Sequence, residues 1–505
     1  MTKTTVLLAL ASASVASADD LRDSVRAWRT AHEAPVVREL AEFLALPNLA
    51  SDADGIRRNA VHAQALLERR GVTVRLLESP GSPPAVYGEL TVPGARRTVM
   101  VYAHYDGQPV DAAAWATPPW TPTLRAGVLE DGAAAVDLAS PGAFGPEWRL
   151  YGRSASDDKA PIVAAAAALD ALRAGGRAPS VNLKFFLEGE EEAGSPHLRA
   201  MLAAHRELLR ADLWLLCDGP VHQTRLPLVY FGVRGVTGVE LTVYGPARAL
   251  HSGHYGNWAP NPAVELARLV ASLRDDAGRI LVAGFDDDVR PLTDAERAAL
   301  RSVPPVEDDL RASLALGRTE SAVLAEAILR PALNVRGLAS GRVGEAAANA
   351  IPTEARASID FRLVPDQTPA GVRAKLEAHL GGLGYHVVHD APDAATRRAH
   401  ARLVRLEWGA GYPSARTPLD HPAAQALVRV LEEGGRPVVR LPTLGGSVPM
   451  HVFGEVLGAP VAGLPIVNHD NNQHAANENL RVQNLWDGIE TFAVVFARLG
   501  EAWPR

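Results

Sequence analysis

Apolar positions in the first part of the chain gather into short continuous runs separated by stretches of helical periodicity. Four such runs, at residues 98–102, 181–187, 213–216 and 461–467, are rich in aliphatic, β-branched or aromatic side chains. Runs of this length without polar alternation suit strands buried on both faces, so they predict a largely parallel sheet covered by helices. Residues 158–176 predict one covering helix, with Pro161 near its start, alanine through its middle and Gly175-Gly176 at its end. A second is predicted over residues 195–210, with Ser195 as N-cap and Pro196 at the first helical position.

The pattern changes after Gly235. Residues 236–244 alternate like a half-exposed strand. A helical pattern follows at 261–273, strand patterns at 332–338 and 355–364, a helix at 372–380, and strands at 385–389 and 403–408. Strand, helix, two strands, helix, strand is the order of a small α+β sandwich. The expected organisation is an α/β domain in two parts, residues 19–234 and 414–505, with a smaller domain, 235–413, inserted between them. A length of 505 residues agrees, since one hydrophobic core seldom serves so long a chain.

Composition narrows the chemistry. The chain is 47% hydrophobic and 22% charged, as folded globular proteins are. A net charge of -7 argues against a nucleic-acid partner, which asks for a basic face. The single cysteine, Cys217, excludes an internal disulfide and a cysteine-rich zinc site, so any metal centre must use His, Asp and Glu. Lys3, the apolar stretch that begins at Val6 and the small residues Ala16-Ser17-Ala18 have the layout of a signal peptide over residues 1–18. Export to the periplasm or outside the cell is expected on that reading, and a cytoplasmic location if the stretch is only an alanine-rich first helix. No run reaches the ~20 apolar residues of a membrane span.

All four apolar runs lead into residues able to bind metal, and ligands in open α/β sheets collect beyond the carboxyl ends of strands. The first leads into His104-Tyr105-Asp106, the second into Glu188-Gly189-Glu190-Glu191-Glu192, the third into Asp218, and the fourth reaches His474 a few residues later. His104 and Asp106, two apart on an extended segment, share a face, and a carboxylate behind a histidine fixes its tautomer. Alone, such a pair is usually a local hydrogen bond. Asp157, in Gly152-Arg153-Ser154-Ala155-Ser156-Asp157-Asp158, either caps the following helix or supplies a carboxylate that bridges two cations. Three adjacent acids, Glu190-Glu191-Glu192, at the end of a buried strand repel one another unless cations stand nearby, and they could divide the roles of ligand and general base.

With these motifs in order, the chain resembles the aminoacylase/carboxypeptidase-type family of di-zinc exopeptidases, which includes carnosinase-like dipeptidases, glutamate carboxypeptidase and succinyl-diaminopimelate desuccinylase. The likeness runs from about Ala41 to the C-terminus and is nearest the dipeptidase branch, on Leu187 to Ser195 and the long segment 280–330. It implies a zinc-exopeptidase α/β catalytic domain with an inserted ferredoxin-like lid and dimerisation domain. It also implies two divalent metal ions, one held by His104 and Asp218, the other by Glu192 and His474, with Asp157 bridging. Zinc is expected, and cobalt or manganese suit the same donors. Asp106 would orient His104, and Glu191 would be the general base.

In the inserted domain, His251, within Leu250-His251-Ser252-Gly253, matches a histidine that reaches a partner subunit's site in a homodimer. Arg362 matches an arginine that grips a substrate carboxylate. Ser447, in Gly445-Gly446-Ser447, and Asn349 match substrate-binding positions. Three departures from the dipeptidase pattern are Ala249 for Asp, Thr443-Leu444 for Arg-Glu, and Asn349 for Thr. The implied reaction is amide hydrolysis in dipeptides or at peptide C-termini, the alternative being deacylation of N-acyl amino acids at the same site. A non-catalytic binding module would lack a ligand or the base, and a Rossmann nucleotide binder would carry a glycine fingerprint absent here.

Overall fold

The computed structural model describes residues 18–139 and 143–503. Apart from Ala18, the signal-peptide expectation lies outside the described residues. No described helix is long and apolar enough to cross a membrane.

An eight-stranded sheet forms the larger body, with spatial order Thr73–Leu77, Ala85–Leu90, Asn182–Glu188, Thr98–His104, Leu213–Leu216, Val461–Gly463, Leu228–Tyr230 and Val439–Leu441. The four strands at its centre are mutually parallel, with His104 level with Glu188, Tyr102 with Leu216, and Leu216 with Gly463. Their carboxyl ends therefore open on one edge.

Side chains of the Thr98–His104 strand alternate between two cores: Val99, Val101 and Ala103 face one, Met100 and Tyr102 the other. This two-sided burial explains the unbroken apolar run. Helix Lys159–Ala174 is almost wholly buried beneath the helices Ala18–Leu44 and Val482–Ala502. Its unbroken alanines, Ala164 to Ala168, let neighbours approach on every side at little entropic cost.

The inserted body is a five-stranded sheet in the order Ala332–Ala339, Glu354–Leu363, Gly235–Tyr244, Leu403–Trp408 and His386–Val388. The first four are antiparallel, and the short fifth adds in parallel. Helices Pro262–Ala271 and Pro369–Gly382 cover one face through Leu266, Leu269, Val372, Leu376 and Leu380. Two segments join the bodies and run side by side, Gly232 pairing with Arg416 and Val236 with Tyr412. A Cβ on Gly232 would stand 2.4 Å from the Ala415 carbonyl oxygen, so a side chain there would force the two connections apart.

Two expectations need correction. The last buried run is a strand only over Val461–Gly463, because Pro465 cannot continue a ladder and the chain turns toward the sheet edge. The helix expected at 195–210 spans Leu198–Ala204, with His197 as N-cap. Ser195 lies in the left-handed region (φ 51°) and does not cap it.

Candidate active site

Each central strand delivers its acid or histidine to the same edge, and the site is assembled from there. His104, the last residue of its strand, is fully buried. Its Nε2 lies 2.8 Å from Asp157 Oδ1, and its Nδ1 lies 3.3 Å from Asp106 Oδ1. Asp106 accepts the backbone N–H groups of Glu191 and Glu192 through its two oxygens, at 3.1 and 3.0 Å. One buried carboxylate thus orients the histidine and pins the short 3₁₀ turn Glu191–Ala193.

Asp157 is the hub. It groups with His104 and Asp218 on one side, and with Glu192 and His474 on the other, the donor atoms in each group lying within 4.8 Å of one another. His474 Nε2 stands 3.0 Å from Asp157 Oδ2 and 3.3 Å from Glu192 Oε2. It sits in the left-handed region (φ 64°) on the loop that follows the Val461–Gly463 strand. The Asp157–Asp158 peptide is cis. Asp158 is the N-cap of the following helix without a side-chain capping bond, so helix capping does not account for this acidic pair.

Charge in this cluster is out of balance. Burial, and then the charge of Asp157, pushes Glu192 up to about 8 and Asp218 up to about 6. Burial also raises Glu191, with Asp218, Glu192 and Asp157 adding to the rise and His104 opposing it. Burial acts to raise Asp157 as well, but its bonds to His104 and His474 prevail and hold it low. So many buried acids beside two imidazoles call for further positive charge. Carboxylate and imidazole donors within reach of one point suit divalent metal ions.

Of the acids after the second strand, Glu190 stands apart. Its oxygens accept the backbone N–H and Nδ1 of His197, each at 2.9 Å. Glu188 accepts the Tyr102 hydroxyl at 2.7 Å. Both serve the scaffold.

The expected substrate residues form two further groups. Arg362 donates to Ser447 Oγ at 2.8 Å and to Asp360 Oδ2 at 3.0 Å. Tyr412 stacks on His451 with centroids 5.1 Å apart. Its phenol is raised first by burial, then by the charge of Glu191, while Arg362 opposes. His251 is exposed on a two-stranded ladder, where it pairs with Ala350, and Asn349 precedes the second strand, its carbonyl accepting the Ser252 N–H at 2.9 Å. Among the described residues no hydrogen bond or ion pair links either one to the acidic cluster.

Sequence reasoning missed Glu478. Fully buried, it accepts the N–H groups of Ser154, Ser156 and Asp157 at 2.9 Å each, and the Arg153 guanidinium at 2.8 Å. It fixes the loop that carries Asp157. The one available signal was an acid four residues after His474, too weak to read alone.

Two carboxylate–imidazole groups that share one aspartate at the carboxyl edge of a parallel sheet form a candidate two-metal centre. Comparison with known proteins makes the assignment specific. Residues 100–498 match Peptidase family M20/M25/M40, and the chain belongs to that family as a metallopeptidase. The Cys-Gly metallodipeptidase dug1 of Schizosaccharomyces pombe is 25% identical over 488 residues, covering 93% of this chain and 96% of the relative. The Beta-Ala-His dipeptidase of Homo sapiens is 26% identical over 430 residues, covering 83% and 78%. The M20 family metallo-carboxypeptidase Sso-CP2 from Sulfolobus solfataricus superposes with a TM-score of 0.73 at 27% identity, covering 92% of this chain and 99% of that one.

Proposed function

We propose that the protein is a dinuclear exopeptidase that hydrolyses the amide bond of dipeptides or of peptide C-termini. The observation that carries this reading is Asp157, shared by two donor groups, with the half-buried Glu191 next to the ligand Glu192. His104 and Asp218 would hold one ion, Glu192 and His474 the other, and Asp157 both. Zinc is the metal assigned, and cobalt or manganese fit the same donors. Held there, the ions would supply Lewis acidity to a water and to the scissile carbonyl. Glu191 takes the proton of the attacking water on its carboxylate and returns it to the departing amine. Asp106 keeps His104 in one tautomer. Arg362, braced by Ser447, holds the substrate's terminal carboxylate with a fork that suits its two oxygens.

His251 and Asn349 act across a homodimer, where His251 of one protomer supports the developing oxyanion in the other's site. Support for the dimer comes from the exposed apolar residues of the inserted domain, Trp258 at 78%, Leu338 at 58% and Val343 at 88% exposure. The relatives named dipeptidases and the carboxypeptidase relative support the substrate class. We read residues 19–234 and 414–505 as the catalytic domain, 235–413 as the lid, and 1–18 as an export signal. Hydrolysis of a dipeptide panel and an N-acyl amino acid panel, with zinc added or chelated, tests the reading. Zinc-dependent release of amino acids from dipeptides supports it, whereas cleavage of acylated compounds alone would make the protein a deacylase.

A further inference from the structure

Beside the acidic cluster lies a cavity of about 190 Å³ whose walls come from both bodies of the protein. The catalytic side supplies Leu228 and Leu444, and the lid supplies Val303, Val306, Leu324 and Ile328. Two polar side chains on its rim, Glu307 and His222, are already engaged. Glu307 accepts the backbone N–H groups of Val306 and Leu324 through its two oxygens, at 3.1 and 2.8 Å. His222 Nδ1 is 2.8 Å from the Thr224 hydroxyl. The rest of the lining is mainly aliphatic, with the Gln223 amide and the outer edge of the His222 ring as its other polar groups.

Its position ties it to the chemistry. The wall begins at Pro220, two residues past Asp218, and ends at Gly445, two residues before Ser447. Leu444 closes on Gly219, its Cδ2 3.0 Å from where a Cβ would stand, and Ile328 packs on Gly445 at 3.4 Å by the same measure. A substrate held between Asp218 and the Arg362–Ser447 pair has this cavity at its flank.

Resting on the exopeptidase reading above, we infer that this cavity is a specificity pocket for an uncharged, apolar side chain next to the scissile bond. A cavity of ~150 Å³ lined by aliphatic residues holds benzene, so a leucine or phenylalanine side chain fits here. A carboxylate side chain would find no lysine or arginine among the lining groups and would face the Glu307 carboxylate.

The test is kcat/KM for zinc-loaded protein on Leu-Gly, Gly-Leu, Phe-Gly, Gly-Phe and Glu-Gly against glycylglycine, with N-acetyl-leucine and N-acetyl-glycine alongside. The pocket predicts that leucine at one of the two positions raises kcat/KM about ten-fold or more over glycine, with which position identifying the side of the bond it serves. Ala325→Phe, which fills the cavity from the lid, should cut that leucine-to-glycine ratio about ten-fold, and Ile328→Ala, which widens it, should move the preference toward phenylalanine. Melting temperatures near that of the parent establish that each variant is folded, and if the first fails to fold the second decides. Equal turnover of glycine and leucine substrates, preference for Glu-Gly, or ratios unmoved by both substitutions would overturn the pocket. Cleavage of N-acetyl-leucine over N-acetyl-glycine with no dipeptide cleaved would overturn the exopeptidase reading and leave the pocket standing. Absence of all cleavage would overturn both.

Discussion

Replacing Glu478 by glutamine tests whether the Asp157 loop is held from behind by one carboxylate. The carboxylate accepts two backbone N–H groups on Oε1, and the Ser154 N–H and the Arg153 guanidinium on Oε2. An amide keeps one acceptor oxygen for two of the donors and turns an NH₂ group toward the other two, so half of these bonds are lost and that pair of donors meets another donor. Leaving a buried guanidinium without its counter-charge costs ~3–5 kcal/mol. Arg153 retains the Ala475 carbonyl and the face of Trp115, 5.1 Å from its guanidinium carbon, which argues for the lower end, about 3 kcal/mol. The loop's drift should also be felt at Asp157, and loss of such outer support lowers metal affinity ~10–100-fold. Zinc titration by calorimetry into chelator-treated protein, with urea unfolding in parallel, measures both. Zinc affinity within three-fold of the parent and stability within ~0.5 kcal/mol would refute the reasoning.

Two further outcomes are expected. Burial pushes Glu188 up to about 7 from 4.5, although the hydrogen bond from the Tyr102 hydroxyl opposes this. Because the folded pKa is the higher, its contribution to stability is full below about 4.5 and lost as pH rises through about 7. Glu188→Gln does not titrate, so it should gain on the parent between pH 5 and 8 by up to ~3 kcal/mol, and urea midpoints that keep a constant difference would contradict this. His251→Ala should lower kcat ~10²–10³-fold. Co-expressing His251→Ala with Glu191→Gln restores activity if the histidine serves the partner's site, since one site of the hybrid is then intact; a hybrid as inactive as its parents argues for a histidine acting within its own chain.

Much of the site was legible because buried parallel strands leave a plain signature, and the acids that follow them stand out against it. His104, Asp157, Glu192, Asp218 and His474 come from five separate segments; the parallel register brings four of them to one edge, and Asp157 reaches it on the loop ahead of helix Lys159–Ala174. Glu190 illustrates the limit: adjacency in sequence suggested a shared site, but its side chain turns to His197. The strands Leu228–Tyr230 and Val439–Leu441 escaped notice because three-residue segments carry too little periodicity. Glu478 was invisible for another reason, since its partners are backbone N–H groups more than three hundred residues away. The correction at Ser195 is local: a positive φ rather than a cap governs that residue.

In the proposed mechanism Glu191 drives hydrolysis beside a metal pair that it does not itself hold. Metal content by mass spectrometry, together with dipeptide turnover, of zinc-loaded parent protein and Glu191→Gln tests this most directly. The account predicts two zinc ions per chain in both proteins and a ~10²–10⁴-fold lower kcat in the variant. Turnover that survives the substitution, or parent protein that binds no more than one ion, would contradict it.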